Sequence, residues 1–272
     1  MAENTRTFLD ISLSKYRRKL VALYVLFSFS LFAFILDLFA AFLFFIILPY
    51  HSIPILTRYN LSLRFLGIFG LQIFFPVYVF FVGFSIVREY KEQYEVFQRQ
   101  KYAENLSYDT LVSLLPKDFL IFRNVSLGYG DIDVIIVSVK GIYAIEVKSN
   151  RGTIYLDDTG YIHVKDGDTV TKQYRRQVIS ESNRLKRYLD AEIGSKTFVY
   201  PVLLFPLATV MKDMYLLNAN DRYKVPVLSL NGIVEYIRAQ ETLIMTKDKV
   251  ASVVKAINKI IEGKVIFNDQ KE

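Results

Sequence analysis

The stretch GYGDIDVIIVSVKGIYAIEVKSN, residues 128–150, decides how this chain is read. Two β-branched runs lie on either side of the turn residue Gly141, so they read as the strands of a hairpin. Strand alternation puts Tyr143, Ile145 and Val147 on one face and Ala144, Glu146 and Lys148 on the other. If the runs pair, the carboxylates of Asp133 and Glu146 converge at one end of the sheet, beside the Lys148 ammonium. Charges inside strands that otherwise read as buried cost several kcal/mol unless a partner or an ion compensates them. Magnesium suits such a place, because it is held by one or two carboxylates plus waters and substrate phosphate. Without an ion, two close carboxylates repel and one tends to protonate. Lys148 would then position a water or stabilise charge developing on a phosphate. The plainer reading is a Glu146–Lys148 ion pair on a sheet edge, with Asp133 in a turn.

The longer stretch GDIDVIIVSVKGIYAIEVKSNRGTI closely resembles the core of the nuclease-related domain family (NERD), a branch of the PD-(D/E)XK nuclease-like superfamily. The resemblance covers roughly residues 102–206 and implies an α/β, restriction-endonuclease-like fold: a mixed sheet flanked by helices. It implies that Asp133 and Glu146 are metal ligands for Mg²⁺ or Mn²⁺, with Lys148 catalytic. It also implies site roles for Glu104, in KYAENLSYDTLVSLLP, and Gln177, in QYRRQVISES. Without the resemblance, both would read as solvated helix residues. The family often has Asn-Pro shortly before the glutamine, where this chain has Gln173-Tyr174, and Asp131 stands where Glu is commoner. Neither departure removes a proposed ligand, so what they bear on is the entry to the helix.

Upstream, the composition changes. Residues 21–48 and 65–87 are each apolar and long enough to cross a hydrocarbon core of about 30 Å, which predicts a transmembrane α-helical hairpin ahead of the α/β domain. Asp37 interrupts the first span at a cost of about 3 kcal/mol, which some twenty apolar neighbours at roughly −0.3 to −0.6 kcal/mol each outweigh. It is placed at an interface or near Gln72 of the second span, where Pro76 introduces a kink. The first span is too long for a signal peptide and no cleavage site follows it, so it reads as a retained anchor. Arg6, Lys15, Arg17, Arg18 and Lys19 precede the first span, and Arg88, Lys91, Arg99 and Lys101 follow the second. The loop between carries only Arg58 and Arg64. The positive-inside rule puts both termini, and the α/β domain, in the cytoplasm of a bacterial-type inner membrane.

The net charge of +7 is mostly a topology signal: the first 101 residues hold 11 basic and 6 acidic side chains, the remainder 23 and 21. Within the remainder, Lys172, Arg175, Arg176, Arg184, Lys186 and Arg187 gather on one predicted helix beside Gln177. They are candidate contacts to a nucleic-acid backbone, against the plainer reading of a solvated helix face. With no cysteine, and only His51 and His163, cysteine-rich zinc sites, cysteine nucleophiles and multi-histidine sites are excluded or strained. Both histidines read as surface residues, and no Gly-rich phosphate loop appears.

The organisation expected is a basic N-terminus (1–20), two transmembrane helices (21–87), a charged helical linker (88–101) and a nuclease-like domain (102–272). Beyond the Gln177 helix, KTFVYPVLLFP reads as a buried strand, with Pro201 at an edge or bulge. MYLL and VPVLSL read as short strands, and NGIVEYIRAQ as a helix. A final amphipathic helix runs from near Thr246 to Gly263, and LDDTGYIHV reads as a hairpin. The leading function is metal-dependent cleavage of phosphodiester bonds in DNA, ahead of RNA. The alternative is a membrane-tethered nucleic-acid-binding or scaffold protein on an inactive nuclease fold. A transport or signalling hairpin centred on Asp37 is a third reading. The lipid bilayer is an expected partner, and self-association through the hairpin or linker would add a second copy.

Overall fold

The computed structural model describes residues 55–128, 130–156, 161–166, 168–211 and 225–263, with scattered helical positions between 14 and 39. The chain divides into two compact units, residues 1–98 and 99–272. In the first, the described positions from Ser14 to Phe39 are helical, and helix α1 begins at Ile55 and continues unbroken to Leu114. The linker expected at 88–101 is therefore part of one 60-residue helix. Exposed pairs one turn apart, Arg88–Glu92 at 3.0 Å and Lys91–Glu95 at 4.0 Å, add at most a few tenths of a kcal/mol each.

Among the described residues no helix is long and apolar enough to cross a membrane. The two-span anchor expected at 21–48 and 65–87 thus finds no support there. Much of the first span, Asp37 included, lies outside the described residues, as do the side chains of Gln72 and Pro76. The second span has no boundary of its own, because its backbone is the middle of α1.

The second unit is built on the hairpin. Strands β1 (Leu120–Ser126), β2 (Asp131–Ser138) and β3 (Gly141–Val147) pair antiparallel in succession. Strands β7 (Val199–Leu204) and β9 (Val227–Leu228) extend this sheet in parallel, giving the order β1-β2-β3-β7-β9. Pro201 lies before the short β9 pairing begins, where one edge of β7 is open and a missing N–H is tolerated. A second sheet, in the order β6-β5-β4-β8, comprises β4 (Thr153–Leu156), β5 (Ile162–Asp166), β6 (Asp168–Lys172) and β8 (Thr209–Val210). The hairpin expected in LDDTGYIHV is the β4–β5 pair, although its turn residues 157–160 lie outside the described ones. MYLL also lies outside them.

Period two sets the layers. Val134, Ile136, Tyr143, Ile145 and Val147 pack with Leu111 of α1, with Leu115 just beyond its end, and with Ile233, Val234 and Ile237 of α3 (Leu230–Arg238). Ile135, Val137, Ile142 and Ala144 meet Leu185 and Leu189 of α2 (Tyr174–Ile193) and Val253, Ile257 and Ile260 of α4 (Lys247–Ile261). A third cluster joins the second sheet to α2 through Ile154, Ile162, Val178 and Phe205. Ser229 and Thr246 cap α3 and α4 by accepting from the amides of Gly232 and Lys249. In contrast, α2 opens at Gln173 with no side-chain cap, so the departure from Asn-Pro does fall on helix entry.

At the other end of α2, Asp190 accepts from Lys186 Nζ (2.5 Å), Thr197 N (2.5 Å) and Thr197 Oγ1 (2.7 Å), which ties the helix to the approach of β7. Burial alone would raise its pKa, but these hydrogen bonds outweigh burial and hold it at about 2. Because the folded pKa lies below the unfolded value of about 4, this contribution is complete above pH 4 and disappears as the pH falls toward 2. Asp190→Asn is expected to flatten the acid limb of the unfolding free energy across that window, measured by urea denaturation at successive pH values. A limb identical to that of the wild type would count against the assignment.

Candidate active site

The acids sit where the β2–β3 ladder gives out. Val134 opposite Ile145 is the last cross-strand pair at this end, and beyond it a side chain takes over from the backbone. Asp133 Oδ2 accepts a hydrogen bond from Val147 N at 2.7 Å. On its other edge β3 stays paired to β7, and Lys148 N donates to Leu204 O at 2.8 Å. The backbone from Glu146 to Lys148 is therefore held on both sides while its side chains project from the strand end.

Glu146 is 4% exposed, and its Oε1 gathers two donors: Lys148 Nζ at 2.5 Å and Gln177 Nε2 at 2.8 Å. Gln177 Oε1 in turn accepts from Lys148 Nζ at 3.0 Å, closing a three-membered network. The lysine also lies 5.0 Å from the ring centre of Tyr174, whose hydroxyl donates to Asn150 Oδ1 at 3.0 Å. Glu104 reaches the same region from α1. Gln100 Nε2 donates both to Glu104 Oε1 (3.0 Å) and to Val147 O (2.9 Å).

Electrostatics follow from crowding. Asp133 is raised well above the usual carboxyl range by burial, then by Glu146 and Glu104. Glu104 is raised by burial, with the Gln100 hydrogen bond opposing and Glu146 adding. Glu181, one turn along α2 from Gln177, is pushed up to about 8 by burial and then by Glu146. Among the described residues, Glu146 Oε2 and Glu181 Oε2 are buried without a hydrogen-bond partner. The two carboxyls come close enough to share a hydrogen bond once Glu181 is protonated. No group of three or more His, Cys, Asp and Glu side chains forms a metal-holding cluster among the described residues.

Asp133, Glu146, Lys148, Gln177 and Glu104 are thus brought to one strand end, whereas the basic set is dispersed. Lys172 ends β6 instead of joining the helix, because the β5–β6 hairpin runs through it. Arg175 is 3% exposed, on the packed face of α2, with its guanidinium toward Val225 O. Arg184 is partly buried, and Lys186 is paired with Asp190. Arg176 and Arg187 are exposed, and their separation of eleven residues, three helical turns, places them on one stripe of α2.

Gln100, Tyr174 and Glu181 are site neighbours that the motif reading passed over. Two of them had a signal: Gln100 and Glu181 each stand four residues from an expected site residue, on the same helix face.

An acid pair and a lysine thus lie at the end of a mixed sheet in an α/β domain, with a glutamine from the next helix beside them. Residues 99–206 match the family model of the nuclease-related domain, NERD, and that match suggests a nuclease-like function. Neither a curated protein nor a solved structure matches the chain.

Proposed function

We propose that the chain is a metal-dependent nuclease that hydrolyses phosphodiester bonds of DNA, ahead of RNA. The observation that carries this reading is the convergence of Asp133, Glu146, Lys148 and Gln177 where strand pairing ends. A divalent cation fits these residues. Asp133 and Glu104 are crowded carboxyls disfavoured as anions by burial and mutual repulsion, and Glu146 keeps a buried oxygen with no partner. Asp133 and Glu146 would hold Mg²⁺ or Mn²⁺, two carboxylates being enough for an ion that keeps several waters. When bound, the ion would acidify a water and neutralise charge on the phosphate.

The protein's own groups do the rest. Lys148, steered by Glu146 and Gln177, directs its ammonium at the charge that builds on the phosphoryl oxygens. Gln100 and Glu104 brace the Val147 peptide and so hold the strand end in place. Arg176 and Arg187 offer exposed guanidiniums to backbone phosphates, which makes binding weaken with salt.

The same reading seats the domain on the cytoplasmic side of a bacterial-type cell membrane. It rests on the hydropathy of 21–48 and 65–87 and on the distribution of basic residues. Phe29, Phe32, Phe39, Phe81 and Phe84, each more than half exposed, are apolar surface that lipid would cover. The alternative, a tethered nucleic-acid-binding scaffold on an inactive fold, draws on Lys148 already being tied to Glu146 and Gln177.

One experiment separates these readings. The full-length chain is recovered from membrane and soluble fractions and assayed on supercoiled, linear and single-stranded DNA and on RNA, with Mg²⁺, Mn²⁺ or EDTA. Asp133→Asn is prepared in parallel. The expected result is recovery with the membrane and cation-dependent cleavage, reduced at least a hundredfold in the variant. Cation-independent binding without cleavage would favour the scaffold, and recovery in the soluble fraction would remove the tether.

A further inference from the structure

Gln177 makes three side-chain hydrogen bonds among the described residues. Two of them go to groups that must move if the site works. Glu146, which accepts from Nε2 at 2.8 Å, is the acid that would turn to a cation, and Lys148, which donates to Oε1 at 3.0 Å, is the cation that would turn to a phosphate. The third goes to Glu181, whose Oε1 accepts from Nε2 at 3.0 Å. Glu181 is 4% exposed on the packed face of α2, between Val178 and Leu185. An apolar residue would fill that position without burying a carboxyl group against the Glu146 carboxyl, so packing alone does not account for an acid here, and its hydrogen bond to Gln177 is what an apolar residue could not supply.

An amide has two nearly isosteric ends, and its function depends on which one faces Lys148. We propose that Glu181 is a positioning residue that fixes the Gln177 amide, keeping its carbonyl toward Lys148 when Glu146 and Lys148 engage their ligands. It acts through Gln177, from the same helix one turn away, and touches neither substrate nor ion. This inference rests on the reading of the site as one that cleaves phosphodiesters.

The test uses the full-length chain with Glu181→Leu, which removes the acceptor, and Glu181→Gln, which keeps a carbonyl in its place. Replacing a buried acid by an apolar residue of similar size is commonly neutral or stabilising, and Glu181→Met serves as a second apolar variant if the leucine does not fold. The leucine variant is expected to lose roughly tenfold in kcat at unchanged KM, the effect of one hydrogen bond, and the glutamine variant to recover most of it. A second readout needs no cleavage. With ¹⁵N-glutamine labelling, the Gln177 side-chain NH₂ pair, assigned by its loss in Gln177→Met, should exchange slowly in wild type and Glu181→Gln and faster in Glu181→Leu. Unchanged kcat and exchange in the leucine variant, or equal losses in both variants, overturns the proposal. If the wild type does not cleave at all, the nuclease reading fails, and the NH₂ exchange alone decides the role of Glu181.

Discussion

Lys148→Met is expected to lower phosphodiester cleavage by roughly a hundred- to a thousandfold, with nucleic-acid binding in Ca²⁺ nearly unchanged. The methionine keeps the apolar stem beside Tyr174 and removes only the ammonium that meets Glu146 Oε1 at 2.5 Å and Gln177 Oε1 at 3.0 Å. The side chains of this pair are 14% and 5% exposed, so the loss is not that of a surface ion pair. Removing one partner of a buried pair typically costs about 3–5 kcal/mol, because the other charge is left uncompensated. Circular dichroism and a melting curve must therefore accompany the rate. Adding Glu146→Gln removes the stranded charge. The double variant should regain stability while staying inactive, which separates the fold from the chemistry. Full activity in a folded Lys148→Met protein would end the case for lysine-assisted cleavage.

A comparably large effect on stability is expected four residues further on. Gly152 has φ +79°, and a Cβ built there would stand 2.0 Å from the carbonyl oxygen of Lys165. Gly194, at the C-terminal end of α2, has φ +69° and nothing within 4 Å of such a Cβ. Alanine at Gly194 therefore meets only the left-handed backbone penalty, about 1 kcal/mol. Alanine at Gly152 meets that penalty and also forces β4 away from β5, a clash with backbone that no rotamer relieves, for a total of about 3 kcal/mol or more. Urea unfolding of the two variants side by side isolates the steric part. Equal midpoints would show that β4 and β5 accommodate the extra carbon.

The central hairpin was legible because its information is local. Period two assigned Tyr143, Ile145 and Val147 to one face and Ala144 and Glu146 to the other, and the packed clusters divide in the same way. The convergence of Asp133, Glu146 and Lys148 follows from that register, and Gln177 came from the family resemblance. Glu181 and Gln100 carried only the weaker signal of helical spacing, since a polar residue on a helix face acquires meaning only when tertiary packing decides what the face meets. The basic set proved dispersed for a related reason. Charge in sequence says nothing of phase, and helix packing turned Arg175 inward, while pairing with β5 drew Lys172 into a strand. The N-terminal anchor was read from hydropathy alone, and no described helix is long and apolar enough to cross a membrane.

The Val147 peptide is gripped by side chains at both ends, its N–H by Asp133 and its C=O by Gln100. Elsewhere along β3 an amide proton is shielded by a neighbouring strand and leaves only when the sheet opens. Here it is shielded by a carboxylate that has another calling. On the proposed reading, a cation that drew Asp133 away would release that one hydrogen to solvent while its neighbours stayed locked. The strand end would then contain its own gauge of occupancy, a single exchangeable proton reporting a ligand's arrival before any bond was cut.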